Sequence, residues 1–195
     1  MTQQQPMRSI AVFGSADIPN TDSLYAEAFE AAKLLAENGY SLVNGGGPGV
    51  MQAVTEGAES VGGNTLTVTF KPENAPYFEG SANENKADAT VLAADYAQRV
   101  GLLINNADAF VIFKGGTGTI SEWAMVWLLA HIYYGVHKPF VLYGEFWREV
   151  IDVMKKHFFI NHLEESVFRI VNNKEDMLTA LVELDAEKQQ LQEQP

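Results

Sequence analysis

Short runs rich in β-branched and aromatic residues alternate along this chain with longer stretches whose apolar residues recur at helical spacing. The short runs are SIAVFG at 9–14, YSLVN at 40–44, NTLTVTF at 64–70, DAFVIF at 108–113, KPFVLYG at 138–144 and VFRIV at 167–171. Each predicts a strand. Between them, Asp22 to Asn38 places Leu24, Ala28, Ala31, Leu34 and Leu35 on one stripe and stops at Gly39, as a helix closed by a C-terminal glycine does. Further helices are expected over 49–61, 88–106, 119–134, 146–158 and 174–190. Strands that alternate with helices in this way are parallel and covered on both faces, which predicts an α/β class, doubly wound, mostly parallel sheet.

No internal repeat or linker divides the chain, so a single domain is expected over 8–190, with 1–7 a loose tail and 191–195 a fraying end. The one long loop, 71–86, carries Pro72, Pro76 and Gly80 and follows a strand. It is a surface excursion or a ligand-recognising loop at the strand's carboxyl end.

Three glycine-bearing turns each follow a strand, and all should open on the same sheet edge. They are Gly14-Ser15, the run Gly45, Gly46, Gly47, Pro48, Gly49, and the run Gly115, Gly116, Thr117, Gly118, Thr119. There glycines let an anion approach backbone N–H groups while the next helix supplies partial positive charge, so a phosphate-bearing ligand is expected. Tight-turn chemistry alone accounts equally well for any one of them. No Gly-Lys-Ser or Gly-Lys-Thr occurs, which leaves a P-loop unsupported. The dinucleotide fingerprint is half met, because Ser121 stands where its last glycine or alanine belongs.

Glu122 stands out in the first turn of the helix entered through Gly118 and Thr119, where a helix dipole favours a carboxylate. The spacing of Thr119 and Glu122 is also that of a capping box, which explains the position without any chemistry.

Charge narrows the partner. Thirteen Lys and Arg stand against 25 Asp and Glu, a net charge of −12, which disfavours nucleic acid and anionic membrane surfaces. The chain has no cysteine, which fits a reducing cytoplasm and removes thiolate metal sites and cysteine nucleophiles. The opening residues lack the apolar stretch of a secretory signal, and the most apolar run, Trp123 to Tyr134, is shorter than the ~20 residues of a membrane span. No metal is expected, since His157 and His162 fall on different helix faces without clustered carboxylates. No cofactor is expected either. Ser121 lacks the Gly-x-Ser-x-Gly elbow of a serine nucleophile.

The stretch from Asn44 to Glu59, the Ala-Asp-Ala-Phe at 107–110 and the run Gly115 to Glu122 resemble the LOG family, long called "lysine decarboxylase", whose motif is Pro-Gly-Gly-x-Gly-Thr-x-x-Glu. The similarity runs from about Ile10 to Trp147. It implies a Rossmann-like fold, a dimer, and hydrolysis of nucleoside 5′-monophosphates, cytokinin ribotides among them, to free base and ribose 5-phosphate. On that resemblance Glu122 is the motif glutamate, and Arg99, sixteen positions before Gly115 in the stretch Tyr96 to Val100, is the arginine of the family's Met-x-x-Arg-Lys segment. Lys114 replaces the motif proline, Trp123 the second acidic residue and Val100 the lysine after the arginine. These departures move the sequence toward molybdenum-cofactor carrier-like proteins, so a non-catalytic nucleotide or molybdenum-cofactor carrier is the competing expectation.

For the hydrolase, the glycine turns would anchor the 5′-phosphate and Glu122 would stabilise positive charge on the ribose or orient water. Arg99 would contact the phosphate or the departing base. Asp17 and Asp22 are candidates for a second acidic group, and Tyr96 and the 71–86 loop for base contacts. The helix after Thr119 is apolar on every side, which predicts a homodimer through it.

Overall fold

The computed structural model describes residues 7–72 and 85–193. Residues 1–6 of the expected tail 1–7, most of the 71–86 loop and the last two residues lie outside these. The elements are β1 (Ser9–Phe13), α1 (Ser23–Glu37), β2 (Ser41–Asn44), α2 (Val50–Glu59), β3 (Thr65–Phe70), β4 (Ala89–Ala93), α3 (Tyr96–Asn105), β5 (Ala109–Ile112), α4 (Thr117–Ile132), β6 (Phe140–Tyr143), α5 (Phe146–His157), α6 (His162–Ser166), β7 (Phe168–Val171) and α7 (Lys174–Glu193).

All strand pairings are parallel, in the order β4-β3-β2-β1-β5-β6-β7. The chain runs outward from β1 in one direction and then in the other, so the crossover helices fall on opposite faces. Alternation along β1 shows the result. Ile10 and Val12 join a core with Ala28, Leu35 and Val54 of α1 and α2 and Leu181 of α7. Ala11 and Phe13 join a second core with Leu103 of α3, Trp123 and Val126 of α4 and Ile151 of α5. This is the expected doubly wound, Rossmann-like α/β domain. Where the order reverses, between β1 and β5, the following turns diverge and leave a crevice at the carboxyl edge.

Two elements differ from expectation. The helix expected over 88–106 is a strand, β4, followed by a shorter helix. Ala89 to Ala93 pairs with β3 from Leu66↔Ala89 to Phe70↔Ala93 as an edge strand. Its exposed, alanine-rich side chains do not give the buried apolar run by which an inner strand is recognised. Asp95 then caps α3, its carboxylate accepting the Gln98 N–H at 2.7 Å. The short α6, with a capping box between Asn161 and Glu164, was also not expected. Met7 packs on the first core, and α7 continues to Glu193. No helix among the described residues is long and apolar enough to cross a membrane.

Candidate functional site

The carboxyl edge at the β1/β5 reversal holds a cavity of about 120 Å³. Of the residues singled out in the sequence, Gly14, Ser15, Gly45, Arg99, Gly116, Thr117, Gly118, Thr119 and Glu122 line it. Gly46, Gly47, Gly49 and Gly115 are not in its lining. Gly49, at φ 63°, turns the chain into α2 where a Cβ would strike the Ser15 carbonyl, and Gly47 donates its N–H to Met51 Sδ at 3.4 Å. These glycines shape the loops behind the wall.

Arg99 and Glu122 meet in the floor. The guanidinium is buried, and its three nitrogens each have a partner: Nε donates to the Val68 carbonyl at 3.0 Å, Nη2 to the Gly45 carbonyl at 3.1 Å, and Nη1 to Glu122 Oε1 at 3.1 Å. Arg99 and Glu122 are each only 7% exposed. Two charges withdrawn from water require such mutual compensation, and removing either leaves the other stranded. Gly45 gives the arginine its seat, because a Cβ there would overlap Arg99 Nη2 and stand 2.7 Å from Met51 Sδ. From residue type and spacing alone, Arg99 and Glu122 are separate contacts to a ligand. Their direct pairing, across 23 positions and two helices, was not expected.

Capping does not account for Glu122. Helix α4 starts at Thr117 with Gly116 as its N-cap and no side-chain cap bond. Ile120 N–H bonds back to the Gly116 carbonyl at 3.0 Å, so Thr119 is already inside the first turn. Glu122 therefore lies in the second turn and not, as the spacing suggests, in the first, with its carboxylate turned inward to Arg99. The N–H groups of α4's first turn end at the cavity wall, where the residues are Gly116, Thr117 and Gly118.

Asp22 is accounted for by α1, which it caps by accepting the Leu24 N–H at 2.8 Å. Asp17, exposed on the cavity rim, donates its N–H to Ser15 Oγ at 3.1 Å and is the remaining acidic residue beside Glu122. Met51 and Tyr96 complete the walls. Nothing in the sequence singles out Met51 except its place one residue into the helix after the glycine run. A second cavity, of about 570 Å³, opens on the other side of Ser15, Asp17 and Gly116. Lys114 lies there with its Nζ 5.8 Å from the Phe146 ring. Burial, then the charges of Glu27 and Glu175, push the Tyr143 hydroxyl in its wall up to about 12.

Helix α4 is two-sided. Trp123, Val126, Trp127 and Ala130 are buried, whereas Ile120, Met125, Leu128 and Ile132 form an outward stripe whose members are 44–57% exposed.

Comparison with known proteins brings these features together. A protein of Oryza sativa subsp. japonica named as a probable cytokinin riboside 5′-monophosphate phosphoribohydrolase is 28% identical over 187 residues, covering 93% of this chain and 79% of its own. A Mycobacterium tuberculosis protein named cytokinin riboside 5′-monophosphate phosphoribohydrolase is 32% identical over 136 residues, 69% of each chain. The fold is similar to that of the molybdenum cofactor binding protein from Rippkaea orientalis, with a TM-score of 0.67 at 19% identity over 93% of this chain and 99% of that one. Residues 7–174, which hold every residue of the cavity, match the SLOG cluster4 family, and the chain belongs to that family.

Proposed function

We propose that this protein is a nucleoside 5′-monophosphate phosphoribohydrolase, cleaving the N-glycosidic bond to give free base and ribose 5-phosphate. The observation that carries this reading is the buried Arg99–Glu122 pair facing a cavity at the open N-terminus of α4. The 5′-phosphate is held by the first-turn N–H groups at Gly116 to Thr119 together with Gly14 and Ser15, which brings the ribose over Glu122. As the C1′–N bond lengthens, positive charge grows on C1′ and O4′, and a fixed carboxylate stabilises it without reorganising. Water adds its oxygen to C1′, the bonding pair leaves with the base, and the proton released by water passes to a carboxylate or to the base nitrogen. Arg99 holds the carboxylate in one orientation and supplies the opposite charge its burial requires. The names of the relatives support the same chemistry.

The outward apolar stripe of α4 supports a homodimer through that helix, with light scattering as its measure. For the activity, the purified protein is incubated with AMP, GMP, CMP, UMP and isopentenyladenosine monophosphate, and free base is followed by chromatography. Release from any of them supports the hydrolase. No release from all five, with a pterin absorbance carried by the purified protein, favours a carrier instead.

A further inference from the structure

We infer that Tyr96 is a positioning residue that fixes how Arg99 and Glu122 face one another, an inference that rests on the phosphoribohydrolase reading above. Tyr96 is the first residue of α3, and Arg99 follows on the same helix face at i+3. The turn that carries both is tied at its start: Asp95 caps it, and the Gln98 side-chain oxygen accepts the Ala94 N–H at 2.5 Å. On one side, the Arg99 guanidinium carbon lies 5.9 Å from the centre of the Tyr96 ring, within cation–π range. On the other, the Tyr96 hydroxyl is 2.7 Å from Ser121 Oγ and 3.3 Å from the Gly118 carbonyl, while Ser121 Oγ also donates to that carbonyl at 2.8 Å. Phe70 packs edge-on at 5.9 Å and holds the ring between these contacts.

One side chain thus touches the arginine with its face and, with its hydroxyl, the residue that immediately precedes the glutamate. The Arg99–Glu122 bond fixes a distance between α3 and α4 at one point. The Tyr96–Ser121–Gly118 set adds a second tie, so that the two helices cannot pivot about the ion pair. A carboxylate that acts on a developing charge is sensitive to such pivoting, because displacement of about 1 Å costs on the order of a hundredfold in rate. The tyrosine stands where the LOG-like segment has methionine, which has no hydroxyl to reach α4.

The test separates ring from hydroxyl. Tyr96→Phe keeps the ring beneath Arg99 and removes the tie to α4, Ser121→Ala weakens the same tie from the opposite side, and Tyr96→Leu removes both functions. The expected result is a fall in kcat of about tenfold for Tyr96→Phe, with KM for the nucleotide changed by less than about twofold and a displaced acid limb of the kcat profile. Ser121→Ala should fall in the same direction, and Tyr96→Leu by about a hundredfold. Melting temperature, followed in parallel, separates this from loss of fold. A second readout needs no turnover: the side-chain carboxyl carbon of Glu122, assigned by its disappearance in Glu122→Gln, is titrated by NMR in wild type and Tyr96→Phe. A displaced titration supports the positioning role. Wild-type kcat and pH profile together with an unchanged Glu122 titration in Tyr96→Phe overturn it. If the wild type releases no base from any nucleotide, the hydrolase reading fails, and the NMR titration alone decides the inference.

Discussion

The two edges of the sheet use acidic side chains in opposite ways. At the amino edge, Asp108 stands just ahead of β5 and one of its oxygens accepts the Arg8 N–H at 2.8 Å, the Ser9 N–H at 2.9 Å and the Ser9 hydroxyl at 2.9 Å. Asp88, just ahead of β4, accepts the Thr65 N–H at 2.8 Å and its hydroxyl at 3.0 Å. Each carboxylate ties its own strand to the first residue of the neighbour. At the carboxyl edge, Glu122 has a guanidinium as its partner, and the same guanidinium takes the Val68 and Gly45 carbonyls. Strand polarity explains the contrast. A parallel sheet ends in free N–H donors at one edge and in free carbonyl acceptors at the other, so these aspartates bind the first directly and the guanidinium, a donor, binds the second. Glu122 is held through that guanidinium at the cavity wall.

The largest effects should come from breaking the carboxyl-edge pair. Arg99→Ala takes the opposite charge from a buried carboxylate and removes the guanidinium donor from two carbonyls. We expect a loss of about 3–5 kcal/mol in denaturant unfolding together with loss of base release. A loss below about 1 kcal/mol would mean that Glu122 is solvated and not held by Arg99. Glu122→Gln keeps an acceptor for the guanidinium and removes the negative charge. Its expected signature is a kcat lower by on the order of a hundredfold, with nucleotide affinity by calorimetry nearly unchanged. Full turnover in this variant rules out a chemical role for the carboxylate.

A smaller effect, confined to geometry, is expected from Gly45→Ala. The new methyl displaces Nη2 from the Gly45 carbonyl, and Arg99 can retreat only by loosening its hold on Glu122. Base release should fall about tenfold, with a modest drop in melting temperature. Unchanged kinetics would show that the seat is not needed.

The same polarity governs how much could be read from the sequence. Six of the seven strands announce themselves as β-branched and aromatic runs, and the inner strands β1, β2, β5 and β6, buried on both faces, are continuous apolar runs. The edge strand β4 has no such run. Its signal was elsewhere: Ala87-Asp88-Ala89 repeats Ala107-Asp108-Ala109, and in both the aspartate is the amino-edge tie of a strand about to begin. In the site, residue types and spacing pointed to Arg99, Glu122 and the glycine turns. What they could not supply was the packing of α3 against α4 that joins the first two. Nor could they separate glycines that line a cavity, such as Gly116, from those whose missing Cβ makes room for another chain segment, such as Gly49.

The smallest expected effect sharpens the comparison from the amino edge. Burial raises the Asp108 pKa, but the hydrogen bonds from Arg8 and Ser9 and the nearby Lys138 charge outweigh it and hold the carboxyl below its ordinary value of 3.8. In the pH range around that value the unfolded chain binds the proton more readily than the folded one, so stability rises with pH there. The contribution is complete above the ordinary carboxylate value and is lost as pH falls through the lower folded value. Asp108→Asn keeps an acceptor oxygen but gives up the charge, and charge-assisted bonds are roughly twice as strong as neutral ones. Its melting temperature at pH 7 should lie about a few degrees below wild type. The gap should narrow as pH drops below about 4, where the wild-type carboxylate takes up its proton. Base release at pH 7 and a temperature where both proteins are folded should be the same, because Asp108 is at the edge opposite the cavity. A melting gap of equal size at pH 3 and pH 7 would show that the charge of Asp108 does not contribute to the tie.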